Sequence, residues 1–129
     1  MNYKENANLK QIHHDEFIKL FEEQNSDFKW DIIQKKIFTM IRQIFEGASQ
    51  ELPPKGIAHN YQSRAMYAVD LMLDWKENYF GEKSIEPMLC EVNFMPDCTR
   101  ACKYQPNFFN DVFNALFLDS WESTNVTKI

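Results

Sequence analysis

The stretch SRAMYAVDLMLDW, residues 63–75, alternates residue by residue. Ala65, Tyr67, Val69, Leu71, Leu73 and Trp75 fall on one face of an extended chain, and Met66, Ala68, Asp70, Met72 and Asp74 on the other. That period of two belongs to a half-buried strand. A second run, PMLCEVNF at 87–94, alternates as well, with Met88, Cys90, Val92 and Phe94 as an apolar even face and Leu89, Glu91 and Asn93 as the odd face. Between them lies KENYFGEKS, 76–84, a loop containing Gly81. The two runs predict an antiparallel hairpin. With the loop symmetric about Phe80 and Gly81, Asp70 stands opposite Glu91 and the apolar faces coincide, the condition that fixes register. On this reading Cys90 is buried as a small apolar residue.

Working outward, the period becomes helical on both sides. Trp30, Ile33, Ile37, Met40, Ile41, Ile44 and Phe45 follow the i, i+3, i+4, i+7 pattern of one helix, a core stripe with Lys35, Lys36, Arg42 and Gln43 mostly on its far side. Gly47 is expected to close it, and Pro53-Pro54-Lys55-Gly56 reads as a linker. Upstream, Asp15 opens a shorter helix with Phe17, Leu20 and Phe21 at helical spacing, ended by Asn25-Ser26-Asp27. Residues 1–14 read as a ragged strand or a tail. Downstream, 95–106 reads as a loop with Pro96 and Pro106. A last helix, capped by Asn107, is expected to bury Phe109, Val112, Phe113, Leu116 and Phe117, and the tail after Trp121 to fray. The fold class is α+β, an antiparallel hairpin packed with helices.

Composition narrows the function classes. Eleven Phe against three Gly favours packed elements over glycine-rich loops, and neither common glycine-rich phosphate motif is present. A net charge of −5 disfavours nucleic acid, which needs a basic surface. The small basic groups Arg100 with Lys103, and Lys35 with Lys36 and Arg42, read as solvated surface. No apolar run approaches membrane-spanning length and no secretory h-region opens the chain. Three cysteines without a signal peptide point to a reducing compartment. Cys98 and Cys102 lack two further zinc ligands, because His13, His14 and His59 stand far away.

The chemistry-bearing group is on the hairpin. Asp70, Glu91 and Asn93 converge on one face and offer only oxygen ligands, the preference of a hard cation such as Mg2+. Glu91 and Asn93 are two apart, so both project to the same side. Facing carboxylates repel, and a bound cation relieves that repulsion. A face simply exposed to water is the alternative.

SRAMYAVDLML, followed by LCEVNFMPDCTRACKYQPNFFNDVFNALFLD, resembles the end of the ligase domain in the tubulin–tyrosine ligase-like family. That family's ATP-grasp core ends in a strand bearing Asp and a strand bearing Glu-Val-Asn, with Pro shortly after. The matching positions are Asp70, Glu91-Val92-Asn93 and Pro96. The resemblance implies that 1–129 is the C-terminal portion of such a domain, in which Asp70, Glu91 and Asn93 hold the magnesium ions that bridge ATP phosphates. It implies a reaction that activates a carboxylate as an acyl phosphate, which an amine then attacks to form an amide. It implies tubulin, with histone as a further candidate, as the protein partner, and a cytoplasmic, nuclear or microtubule-associated location. The family's ATP-contacting lysines and adenine-binding segments lie upstream of the region matching Met1. Ala68 stands where the family often has Gly, and Arg64 where it has an apolar residue, so Arg64 is assigned no role. Three readings stay open: a ligase, a non-catalytic pseudo-ligase that binds tubulin or histone, and, for this chain in isolation, a structural fragment without activity.

Overall fold

The computed structural model describes residues 12–58, 60–122 and 124–129. The readings placed on residues 1–11 and on His59 lie outside the described residues. The chain divides into two compact units, Met1–Ile32 and Ile33–Ile129.

In the first unit, α1 (His14–Gln24) begins one residue before Asp15, with His13 as its N-cap accepting the Asp15 N–H at 3.3 Å. Asp15 and Glu16 in the first turn suit the positive end of the helix dipole. Phe17 and Phe21 pack edge-on against Trp30, with ring centroids 5.1 and 5.7 Å away. Glu22 accepts the Trp30 N–H at 3.0 Å, and so caps α2 (Trp30–Ser49) where it starts.

In the second unit, α2 runs through Gly47 rather than stopping there. Chain reversal happens later, at Gly56. A Cβ at Gly56 would lie 2.3 Å from the Glu51 carbonyl oxygen and 2.6 Å from that of Ala48, so only glycine lets the turn fold this tightly against the helix end. Strand β1 (Tyr67–Glu77) pairs antiparallel with β2 (Lys83–Phe94) in a two-stranded sheet. The strands are longer at the tip than the alternation suggested, because Asn78 builds a tight turn. Its side-chain oxygen accepts the Phe80 and Glu82 N–H groups at 2.9 and 3.0 Å, and Gly81 supplies a φ of 78°. At the other end β1 starts at Tyr67, not Ser63. Met95 takes a φ of 52° and Pro96 follows, so the ladder ends one bond beyond Phe94, where the Met95 N–H donates to the Met66 carbonyl.

The register holds one surprise. Tyr67 to Asp70 pair with Phe94 to Glu91, but Leu71 pairs with Leu89, leaving Cys90 as an unpaired bulge residue. The bulge corrects the face assignment of β2. Ile85, Pro87 and Leu89 share a face with Trp75, Leu73 and Leu71, and after the bulge Val92 and Phe94 continue it opposite Val69 and Tyr67. Met88 lies on the other face, and Cys90 is exposed rather than buried.

Residues 95–106 are not all loop, since they contain α3 (Thr99–Tyr104). Asp97 accepts the Thr99 hydroxyl at 2.6 Å and its N–H at 2.9 Å, and those bonds hold the Asp97 carboxyl below the usual carboxylate range. The last helix is α4 (Phe108–Phe117). It buries less than its stripe promised, for Phe109, Phe113 and Phe117 are 57, 54 and 62% exposed. Those three stand at i, i+4 and i+8, one stripe, and no described element covers it. Val112 and Leu116 turn inward instead, where with Ile41, Phe45, Tyr67 and Val126 they border a cavity of about 630 Å³. The final residues are tied down rather than frayed. Asn125 bonds Asp111 and Gln105, and the Lys128 ammonium sits 4.9 Å above the Trp121 ring.

The buried apolar residues among those described are only Trp30, Ile33, Ile37 and Ile85.

Candidate metal centre

The hairpin face away from Ile85 carries two cross-strand pairs of acids. Nearer the tip, Asp74 faces Glu86; farther from it, Asp70 faces Glu91. Acids placed opposite one another on a sheet repel, so each pair needs a counter-charge.

The first pair has two. Lys76 lies 2.6 Å from the Asp74 carboxylate. Lys36 of α2 donates to Glu86 Oε1 and, at 3.1 Å, to the Ile85 carbonyl. The Lys36 hydrogen bond holds the Glu86 carboxyl below the usual carboxylate range, with smaller help from Ser84 and from the Lys36 and Lys76 charges. The second pair has none. Among the described residues, neither Asp70 nor Glu91 forms an ion pair, and the one side-chain bond to either is from Asn93 Nδ2 to Glu91 Oε1 at 2.9 Å. All three are exposed. Because Asn93 spends its amide nitrogen on Glu91, its Oδ1 stays available as a third oxygen.

The structure thus brings Asp70, Glu91 and Asn93 to one face. Two carboxylates and an amide oxygen fit a hard, oxygen-seeking cation such as Mg2+, which takes one or two protein carboxylates and fills its shell with water and phosphate oxygens. No cluster of three or more His, Cys, Asp or Glu side chains suited to a metal occurs among the described residues.

A family model described as the tubulin-tyrosine ligase family matches residues 1–128. The chain belongs to that family. It is 47% identical over its full length to tubulin–tyrosine ligase-like protein 12 of Mus musculus. It is 48% identical over 98% of its length to the Homo sapiens protein of that name, and 43% over 99% to that of Caenorhabditis elegans. The chain spans about one fifth of the length of these relatives. No solved structure matches it.

For a tubulin–tyrosine ligase family chain, the roles of three residues, Lys36, Glu86 and Arg64, were missed from the sequence. Lys36 and Glu86 are fifty residues apart, and only the tertiary fold joins them. Arg64, given no role, donates to the Leu116 carbonyl at 3.0 Å and to those of Tyr61 and Ser63 at 2.7 and 3.0 Å. It therefore ties the entrance of β1 to the last turn of α4, where a cation meets the negative end of the helix. The exposed i, i+2 pair Asp74 and Lys76 could have been read directly from the strand pattern.

Proposed function

We propose that this chain is the C-terminal, magnesium-holding part of an ATP-grasp ligase domain that joins an amine to a protein carboxylate, with tubulin as the protein substrate. The observation that carries the reading is the contrast between the two acid pairs. Lys76 of the hairpin and Lys36 of α2 neutralise Asp74 and Glu86, whereas among the described residues no cation reaches Asp70 or Glu91, which with Asn93 beside them are left for a cation from outside.

Bound there, magnesium would hold the nucleotide phosphates and offset the charge that develops as the terminal phosphoryl group transfers. Asp70 and Glu91 supply the formal charge that draws the ion. Asn93 fixes the Glu91 rotamer by its 2.9 Å bond and offers a neutral oxygen. Family membership supports the ligase class, and the relatives' names support tubulin. The lysine and adenine contacts of a nucleotide site belong to other parts of such a domain, so this chain supplies the metal half of the site.

The test is Glu91→Gln in the intact protein, read by Mg-ATP-dependent thermal shift beside amino-acid incorporation into tubulin and histone. The substitution keeps size, removes one carboxylate charge and relieves its repulsion with Asp70. Melting without nucleotide should hold or rise, by about 0.2–1 kcal/mol of relieved repulsion, while ATP-induced stabilisation shrinks and incorporation falls at least a hundredfold. Equal ATP-induced stabilisation of variant and wild type removes Glu91 from the site. Normal Mg-ATP binding by the wild type with no incorporation into either target would support the pseudo-ligase.

A further inference from the structure

The hairpin carries one residue more on β2 than its ladder needs. If β2 ran straight on in the register of its tip, Asp70 would oppose Cys90. Glu91 and Asn93 would then turn to the face of Val69 and Tyr67, and half-buried Val92 would turn out to water. Setting a carboxylate and an amide on the apolar side is the costlier choice, so the strand bulges instead.

Register alone does not explain why the extra residue exists. With Cys90 removed, Leu89 would lead directly into Glu91. The pairs Leu71–Leu89, Asp70–Glu91, Val69–Val92 and Ala68–Asn93 would all survive in an unbroken ladder on the same faces. The extra unit is dispensable for pairing, yet it sits beside one of the two unneutralised carboxylates. A bulge bends its strand, raises the local twist and re-aims the side chains next to it. In a straight ladder, directly opposed residues place their Cβ atoms about 4.5–5.5 Å apart and meet head-on. In the bulged strand, Glu91 turns along its own strand to Asn93, 2.9 Å away.

We infer that the extra backbone unit at Cys90 is the positioning device that aims Glu91 and Asn93, with Asp70, at one shared cation. The inference rests on the metal reading above. It assigns the work to the backbone. The thiol itself is exposed and reaches only the Met88 carbonyl, at 3.9 Å, so its chemistry is not required.

The experiment uses the full 129-residue chain with Mn2+ alone as the probe. Affinity is read from the free-ion electron paramagnetic signal, and location from Mn2+-induced broadening of hairpin amide resonances. Wild type, Cys90→Ala, deletion of Cys90 and Glu91→Gln are compared. Cys90→Ala keeps the extra unit and should bind as wild type. The deletion should retain cross-strand contacts between Asp70 and Glu91 and exchange its hairpin amides no faster, yet lose at least threefold in Mn2+ affinity. That split separates aiming from folding. A folded deletion variant losing less than threefold overturns the inference, as does Cys90→Ala losing as much as the deletion. If the deletion abolishes the cross-strand contacts, the exchanged pair Cys90→Glu with Glu91→Cys decides. It keeps length and composition but moves the carboxylate onto the bulge; a threefold loss supports the inference and wild-type affinity overturns it. The metal reading fails separately, if Glu91→Gln binds and broadens as wild type or if wild type shows no broadening near Asp70, Glu91 and Asn93.

Discussion

Lys36→Met tests how the longest helix is held to the hairpin. The lysine carries two bonds, one to the Ile85 carbonyl at 3.1 Å and one to the Glu86 carboxylate. Both side chains are a little over one third exposed, so solvent screens the pair and its share is no more than about 0.5–1 kcal/mol. The carbonyl bond adds about 1 kcal/mol, since Ile85 is 4% exposed and its backbone has little water to turn to. Methionine keeps the apolar stem, so the loss is about 1.5–2 kcal/mol. For a chain of this length, with an unfolding entropy near 2.1 cal/mol/K per residue, that lowers the melting temperature by about 5–7 °C. The effect has a pH signature. The Glu86 carboxyl titrates lower in the folded chain than in the unfolded one. Its stabilisation is therefore fully present above the unfolded pKa and is lost as pH falls through the folded value. The gap between Lys36→Met and wild type should narrow in acid by the ion-pair share and keep the carbonyl share. Circular dichroism melts of wild type, Lys36→Met, Glu86→Gln and the double variant at neutral and acid pH read both. A gap unchanged in acid, or additive single effects in the double-variant cycle at neutral pH, would refute the assignment of the ion pair.

Two further outcomes follow from the packing. Arg64→Met removes the donor to the Leu116 carbonyl, and should speed hydrogen exchange at Leu118 and Ser120, whose N–H groups close the end of α4 on Asn114, while the hairpin amides stay protected. The exposed Phe109, Phe113 and Phe117 stripe should make the isolated chain associate at micromolar concentration, and Phe113→Ser with Phe117→Ser should shift sedimentation toward monomer at little cost in melting temperature.

Much of the hairpin was legible because alternation reports one buried face. The Asp70–Glu91 pairing came from loop symmetry and was met, though by another route. The true loop centres on Phe80, and the bulge at Cys90 restores the offset. A period-two reading has no means of seeing an inserted residue, because Met88, Cys90, Val92 and Phe94 look like one continuous apolar face. That is why Cys90 was placed inside. Helix periodicity found α2 and α4, but it reports which residues prefer burial and not whether a partner surface is present. Hence Phe109, Phe113 and Phe117 were assigned to a core that the described residues do not build. Gly47 misled because a glycine can end a helix without being obliged to, and the obligation lay at Gly56. The tail was misjudged because polarity says nothing of Asn125 reaching Asp111 and Gln105.

The lysines on the hairpin sit at one end only. Asp74 with Glu86 and Asp70 with Glu91 are about 13 Å apart along β1, four residues at strand rise, and only the pair near the tip is neutralised. The face is thus electrically polar along its length, with a neutralised pair toward the tip and a negative pair toward Phe94 and Met95. At physiological ionic strength a charge is felt over about 8 Å, less than the distance between the two pairs. On this face a small cation meets acids already paired with lysines beside Asp74 and Glu86, and two unit charges at once beside Asp70 and Glu91. The hairpin therefore grades its pull on a small cation along this face, strongest beside Asp70 and Glu91.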